Sequence, residues 1–170
     1  LVEKTEELVA KLLRLEKIKS DTYVMDFQFY EISEILKSIV LDMKHIFPEK
    51  QFGVVGKSRM RCDKEWLTEA IINLLKNASD YSGENTHITI RAEENNLFTR
   101  IQVEDEGVGI PEEVMPHIFK RFYRVDNTVN PGSVGIGLSL TKSIIEGMDG
   151  TIKVKSEVGK YTCFTITFLK

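Results

Sequence analysis

Apolar residues recur along this chain with two different periods, and the switches between them outline its elements. Leu8, Leu12 and Leu15 stand four and three residues apart among glutamates and lysines, so residues from Leu1 to about Ser20 are expected to form an amphipathic helix. Its apolar stripe must bury against something, a missing partner helix being the candidate. A short strand is expected near Val24–Tyr30. Ile32, Ile35, Leu36, Ile39, Val40, Met43 and Phe47 then step by three and four, which is a strong helix that Pro48 stops. Gln51–Val55 and Arg59–Cys62 flank Gly56, Lys57 and Ser58 and are expected to pair as a hairpin. Trp66, Leu67, Ala70, Ile71, Leu74, Leu75 and Ala78 form the buried face of a third helix, Lys64 to Tyr81, with Asp63 as its N-cap.

The period then falls to two. Ile88, Ile90 and Ala92 alternate with polar residues, as do Leu97, Thr99, Ile101 and Val103, and Asn95-Asn96 makes the turn between them. From Gly107 to Val134 regular periodicity is lost, apart from a short helical piece. A fourth helix is expected to open at Gly137-Leu138, to bury Leu138, Thr141, Ile144, Ile145 and Met148, and to close at Gly150. Strands near Thr151–Lys155 and Tyr161–Leu169 end the chain. No internal repeat and no low-complexity segment interrupts this order.

Chemistry is concentrated at four places on these elements. Continuing the alternation of Ile101 and Val103 puts Asp105 on the core-facing side of its strand, just before Gly107 and Gly109. A carboxylate there is costly without a partner, and the amino group of a nucleotide base would supply one. An aspartate before glycine is also a common turn former. Glu69, Asn73 and Asn77 line one edge of the third helix, and mid-helix asparagines are poor helix formers. They make either a solvated edge or a place where a side-chain oxygen holds a metal ion. Gly132, Gly135 and Gly137 open the fourth helix, whose first backbone N–H groups suit phosphates. Between the glycine stretches, Ile118–Arg124 mixes the anchors Phe119 and Phe122 with Lys120, Arg121 and Arg124, which are either solvated or aimed at phosphate. Glu112–Val134 is long enough to read as a lid or a disordered loop. In the last strand Thr162 shares a face with Phe164, Ile166 and Phe168, so its hydroxyl either meets Asp105 across the sheet or is satisfied by backbone.

Composition narrows the function classes. At 170 residues with 42% hydrophobic and 29% charged, the chain is one globular domain with a full core and a possible appendage. A net charge of −3 argues against nucleic acid or an anionic membrane as the main partner. Cys62 and Cys163 have no metal-type spacing and fall in expected strands as buried reduced thiols. No apolar run approaches the ~20 residues of a membrane span, and no signal peptide is seen. The chain begins without methionine inside an amphipathic pattern, which is expected of a cytosolic piece of a longer protein.

Taken together, these residues resemble the catalytic, ATP-binding domain of bacterial sensor histidine kinases, relatives of DNA gyrase, the heat-shock chaperones and MutL mismatch-repair proteins. Leu67–Ala78 is similar to that family's N-box, Asp105–Gly109 to its first glycine box, Ile118–Arg124 to its aromatic F-box and Gly132–Leu138 to its second glycine box. Gly150–Lys160 resembles its closing hairpin, and Leu1–Ser20 the second helix of the dimerisation hairpin that precedes the domain.

The resemblance implies an α+β fold, a two-layer α/β sandwich of the Bergerat type, with a mixed sheet of about five strands on three helices. It divides the chain into a hairpin remnant, residues 1–22, and an ATP-binding domain, residues 23–170. It implies Mg²⁺–ATP as ligand, with Asn77 on the metal and Asn73 beside the triphosphate. Asp105 would take the adenine amino group, with Gly107 and Gly109 letting the backbone approach the base and Tyr81 flanking it. Gly135, Gly137 and Leu138 would form the phosphate-side turn. Asp80, Ser133 and Tyr161 depart from the family pattern, which usually has a basic residue at the first position and glycine at the other two.

Partners implied are the parent protein's own dimerisation hairpin, whose histidine takes the phosphoryl group, and a response regulator receiver domain. The parent would be a homodimer anchored in the bacterial cell membrane, with this domain in the cytoplasm. His45, His87 and His117 are each followed by isoleucine, so none fits the family's acceptor pattern. A glutamate stands one turn before the metal asparagine in hydrolysing relatives, and Asn73 occupies that position here. This favours transfer over a hydrolytic motor. A nucleotide-sensing pseudokinase and a serine kinase of the anti-sigma type are the other readings on this fold.

Overall fold

The computed structural model of this protein describes residues 2–124 and 135–170. In chain order the elements are α1 (Val2–Lys19), β1 (Gln28–Glu31), α2 (Ile32–Ile46), β2 (Gln51–Gly56), β3 (Arg59–Cys62), α3 (Lys64–Asp80), β4 (His87–Glu94), β5 (Phe98–Asp105), α4 (Gly137–Gly147), β6 (Gly150–Glu157) and β7 (Tyr161–Leu169), with a single 3₁₀ turn at Met115–His117. Five strands form one sheet in the order β2-β4-β5-β7-β6, with β2 parallel to β4 and the other pairs antiparallel. Helices α2, α3 and α4 cover one face, over β2, β5 and β6 respectively. This is the expected two-layer α+β sandwich.

The alternating strands supply the floor of the core, with Ile88, Ile90, Ile101, Val103, Phe164 and Ile166 all at most 1% exposed. Leu36, Leu67, Ile71, Leu74, Leu140 and Ile144 close on them from the helices and are fully buried. Burying each such side chain contributes about 1.5–3 kcal/mol. Helix α3 starts where Asp63 caps it, its Oδ1 accepting the Trp66 N–H at 3.2 Å. In α4 the buried positions are Ser139, Leu140, Thr141, Ile144 and Ile145, while Leu138 is only half-buried. The helix also ends earlier than its glycines suggest. Asp149 takes the left-handed backbone (φ 59°) that Gly150 was expected to supply, and Gly150 instead begins β6 beside the Phe168 ring.

The hairpin expected over Gln51–Cys62 does not form. Gly56 (φ 84°) turns the chain out of the large sheet, so β2 pairs with β4 while β3 pairs with β1 in a separate two-stranded sheet. The strand expected from Val24 is shorter as well. The Asp26 N–H goes to the Asp63 carboxylate at 2.9 Å and Tyr23 accepts from the Trp66 indole, so strand pairing begins only at Gln28.

Part of the α1 stripe finds its partner within the chain. Leu15 is fully buried, Leu8 and Leu12 pack on the core, and α1 lies against α4. Arg14 pairs with Glu69 and stacks over Trp66. Val9 and Leu13 stay exposed. Cys62 and Cys163 are buried free thiols, as expected.

Candidate functional site

Strand register assembles the first wall of the site. Ile88, Asp105, Thr162 and Ser156 form one row across β4, β5, β7 and β6, each facing the next in register. Asp105 is 3% exposed, and its Oδ1 accepts the Gly107 N–H at 2.9 Å. Burial pushes its pKa from 3.8 up to about 6. The Gly107 N–H and the Lys50 ammonium pull it down, and the neighbouring Glu104 pushes it further up.

Thr162 is 5% exposed, and its hydroxyl lies 2.8 Å from that of Ser156. Ser156 donates to the Tyr161 carbonyl and accepts the Ile110 N–H at 2.7 Å. The Thr162 proton therefore goes to Ser156, and Thr162 supports the row without bonding to Asp105.

The second wall is the end of α3. Tyr81 caps the helix, its N–H bonding to the Asn77 carbonyl at 3.2 Å. Its own carbonyl accepts the Val108 N–H at 3.0 Å, and Ser82 bridges Gly107. The glycine turn is thus clamped to α3. A Cβ at Gly107 would stand 2.3 Å from the Tyr81 carbonyl oxygen, so no other residue fits there without moving the turn. Gly109 packs likewise on Glu157 and Val158 of the β6–β7 hairpin. These two glycines are required first by contacts inside the chain, in addition to any approach to a base.

Asn73 and Asn77 are both half-buried on α3. The side-chain nitrogen of Asn73 is buried and has no hydrogen-bond partner among the described residues. Such an atom costs stability that a ligand oxygen would return. Glu69, one turn earlier on the same edge, is turned to Arg14 of α1 and so belongs to a different contact.

Phosphate-side residues are distributed unevenly. Gly137 begins α4 with nothing within 4 Å of where a side chain would be, and Leu138 follows it half-buried. Gly135 accepts the Phe122 N–H at 3.0 Å. Gly132, like Ser133, lies outside the described residues.

Among the basics, Lys120 Nζ lies 2.6 Å from His117 Nδ1. Arg121 Nη2 donates to Glu16 of α1 at 2.8 Å, and Arg124 is half-buried at the edge of the described chain. Phe119 anchors this segment edge-to-face on Phe164, with ring centroids 6.1 Å apart. Phe122 is no anchor. It is 57% exposed, and its backbone sits at φ 68°.

Two contributors escape a reading of the sequence. Ser156 looks like one more polar residue in a strand, and only the register reveals its place beside Thr162. Lys50 looks like a solvated turn residue after Pro48. It is 8% exposed, and its ammonium donates to the carbonyls of Ser82 and Gly83 at 2.5 and 2.9 Å.

The set fits a magnesium nucleotide. Among the described residues there is no group of three or more His, Cys, Asp or Glu that could hold a metal ion unaided. Magnesium, however, is commonly held by one or two protein oxygens together with substrate phosphates and water, which an asparagine at position 77 can join.

Residues 62–170 match the family described as histidine kinase-, DNA gyrase B-, and HSP90-like ATPase. The signal transduction histidine-protein kinase ArlS of Staphylococcus haemolyticus is 32% identical over 167 residues, covering 95% of this chain and 37% of ArlS. The chain thus spans little more than a third of the length of that relative. The catalytic domain of histidine kinase ThkA superposes with a TM-score of 0.76 at 26% identity, over 86% of this chain and 97% of that one. The Acinetobacter baumannii histidine kinase AdeS shares the fold over 99% of this chain and 79% of its own, with a TM-score of 0.83 at 22% identity.

Proposed function

Because this chain belongs to the histidine kinase-, DNA gyrase B-, and HSP90-like ATPase family, we propose that it binds Mg²⁺–ATP and transfers the γ-phosphoryl group to a histidine of a dimerisation hairpin. Residues 1–22 are then the second helix of that hairpin and residues 23–170 the kinase domain. The phosphohistidine would pass its phosphoryl group to the aspartate of a response regulator receiver domain. The parent protein would act as a homodimer anchored in the bacterial membrane, with this domain in the cytoplasm. No helix among the described residues is long and apolar enough to cross a membrane.

The observation that carries the reading is the Asp105 carboxylate. It is buried at the end of a strand, held by the Gly107 N–H, and stands in a row that provides no further donor, since the Thr162 proton goes to Ser156. An adenine amino group would give it the donor it lacks, and Tyr81 lies beside the same turn. The backbone N–H groups at Gly137 and Leu138 would bind the phosphates, supported by Lys120 and Arg124. Asn77 would hold Mg²⁺ through its amide oxygen, and the ion would neutralise charge on the triphosphate. Asn73 would donate to a phosphate oxygen.

In the reaction an imidazole nitrogen would attack the γ-phosphorus. The N–P bond forms, the bond to the ADP oxygen breaks, and the proton on the ring's other nitrogen passes to solvent water. Asn73 has an amide where hydrolysis needs a base, so water is not activated and transfer is favoured. The test is γ-labelled ATP given to the protein alone, with a separately supplied hairpin from its parent protein, and with that hairpin's histidine replaced. Label on the intact hairpin only is expected. Label on this chain alone, or none on the hairpin despite ATP binding, would contradict the assignment.

A further inference from the structure

We propose that Lys50 is a positioning residue of the base pocket, fixing the ledge on which the glycine turn and the Asp105 carboxylate are set. The inference rests on the reading of Asp105 as the adenine acceptor.

The connections run from side chain to pocket without a gap. Lys50 lies in the turn between α2 and β2 and is only 8% exposed as a residue. An ammonium is expensive to bury, and this one is compensated by two carbonyl oxygens, those of Ser82 and Gly83. The same turn is laced to the same loop by the Asn85 N–H on the Glu49 carbonyl and the Gln51 N–H on the Thr86 carbonyl. Ser82 bridges Gly107, and Gly107 donates to Asp105. Whatever holds Ser82 therefore holds the acceptor.

Electrostatics points the same way. Ile88 on β4 and Thr162 on β7 flank Asp105 in register, while Glu104 on its own strand, the Cys163 thiol in register with Glu104, and Lys50 are the titratable groups coupled to it through space. Burial raises the Asp105 pKa, the Gly107 N–H is the main influence lowering it, and Lys50 is the cation that adds to that lowering against Glu104. A protonated Asp105 presents a hydroxyl where the adenine amino group needs an acceptor. Lys50 thus adds to the Gly107 N–H in favouring the ionised, adenine-accepting form.

Lys50→Gln removes the charge and keeps an amide N–H for the two carbonyls, while Lys50→Arg keeps the charge. Mg²⁺–ATP affinity is measured by calorimetry from pH 5.5 to 8.5, with urea unfolding alongside. Titration of the nucleotide phosphates is common to all three proteins and cancels in the comparison. In Lys50→Gln the pH at which affinity is half lost should move up by about one unit. Affinity at pH 7 should fall about twofold, approach a tenfold loss below pH 6, and recover toward pH 8.5. Lys50→Arg should restore the wild-type profile. Equal loss at every pH, or no loss, overturns the proposal.

Should Lys50→Gln fail to fold, ¹⁵N spectra of the wild-type lysine ammonium groups carry the test. The Lys50 signal should exchange slowly and shift as Asp105 titrates. A signal unchanged between pH 5 and 8 overturns the proposal. A wild-type protein that takes up no Mg²⁺–ATP overturns the ATP reading and this inference with it. A wild type that binds ATP alongside an unaltered Lys50→Gln overturns the role of Lys50 alone.

Discussion

The Gly107 N–H donates to the carboxylate of Asp105 at 2.9 Å, and a side chain at position 107 would stand 2.5 Å from that same oxygen. One residue thus stabilises the acceptor and leaves room for it. It also leaves room for the Tyr81 carbonyl, 2.3 Å from the position of its missing Cβ. Gly107→Ala should therefore separate the end of α3 from the glycine turn. Unfolding in urea should show a loss of about 1–3 kcal/mol, and nucleotide affinity should fall further than that loss explains. Wild-type stability and affinity in this variant would contradict the clamped turn.

Asp105→Asn should change the pH dependence of stability in a definite direction. The folded carboxyl is raised from 3.8 to about 6. The folded state therefore holds this proton more tightly than the unfolded chain does. The associated stability is fully present below pH 3.8 and is lost as pH rises through 6. The full loss is about 3 kcal/mol. The difference between wild type and Asp105→Asn, read from urea unfolding at intervals between pH 4 and 7.5, should turn against the wild type over that window. A constant difference would show that burial does not penalise the charge.

Asn77→Ala should leave the fold intact, because the side chain is half-buried at a helix edge and alanine is a better helix former there. Its effect should lie in the magnesium dependence of ATP binding, with more metal needed to reach half-saturation. A magnesium titration indistinguishable from wild type would remove Asn77 from the metal.

Most of the framework is legible from periodicity. The stripe on α3 and the alternation through Val103 to Asp105 lead directly to the buried face and to the buried carboxylate. The aromatic Phe119 reaches the core as its spacing suggests, whereas Phe122 does not, because only one side of that irregular segment meets the sheet. What stays hidden depends on pairing between distant segments. Nothing local tells β2 to join β4 rather than β3, since both partners alternate equally well. The same ambiguity conceals Ser156, which matters only once β6 is registered on β7. Lys50 is hidden for another reason. A lysine in a turn is ordinarily solvated, and only the loop from Ser82 to Thr86 closing over it makes it a buried cation. Arg121 has the charge for a phosphate contact, yet its orientation toward Glu16 depends on the packing of α1 against α4.

If Asp105 receives the adenine of Mg²⁺–ATP, calorimetric titration of Mg²⁺–ATP into the wild type and into Asp105→Asn at pH 7.5 will separate the two proteins. A hydrogen bond to a charged acceptor contributes about 1.5–3 kcal/mol, so affinity should fall roughly 10- to 100-fold in the variant, while its unfolding midpoint stays at or above the wild-type value. Equal affinities for the two proteins would contradict the account.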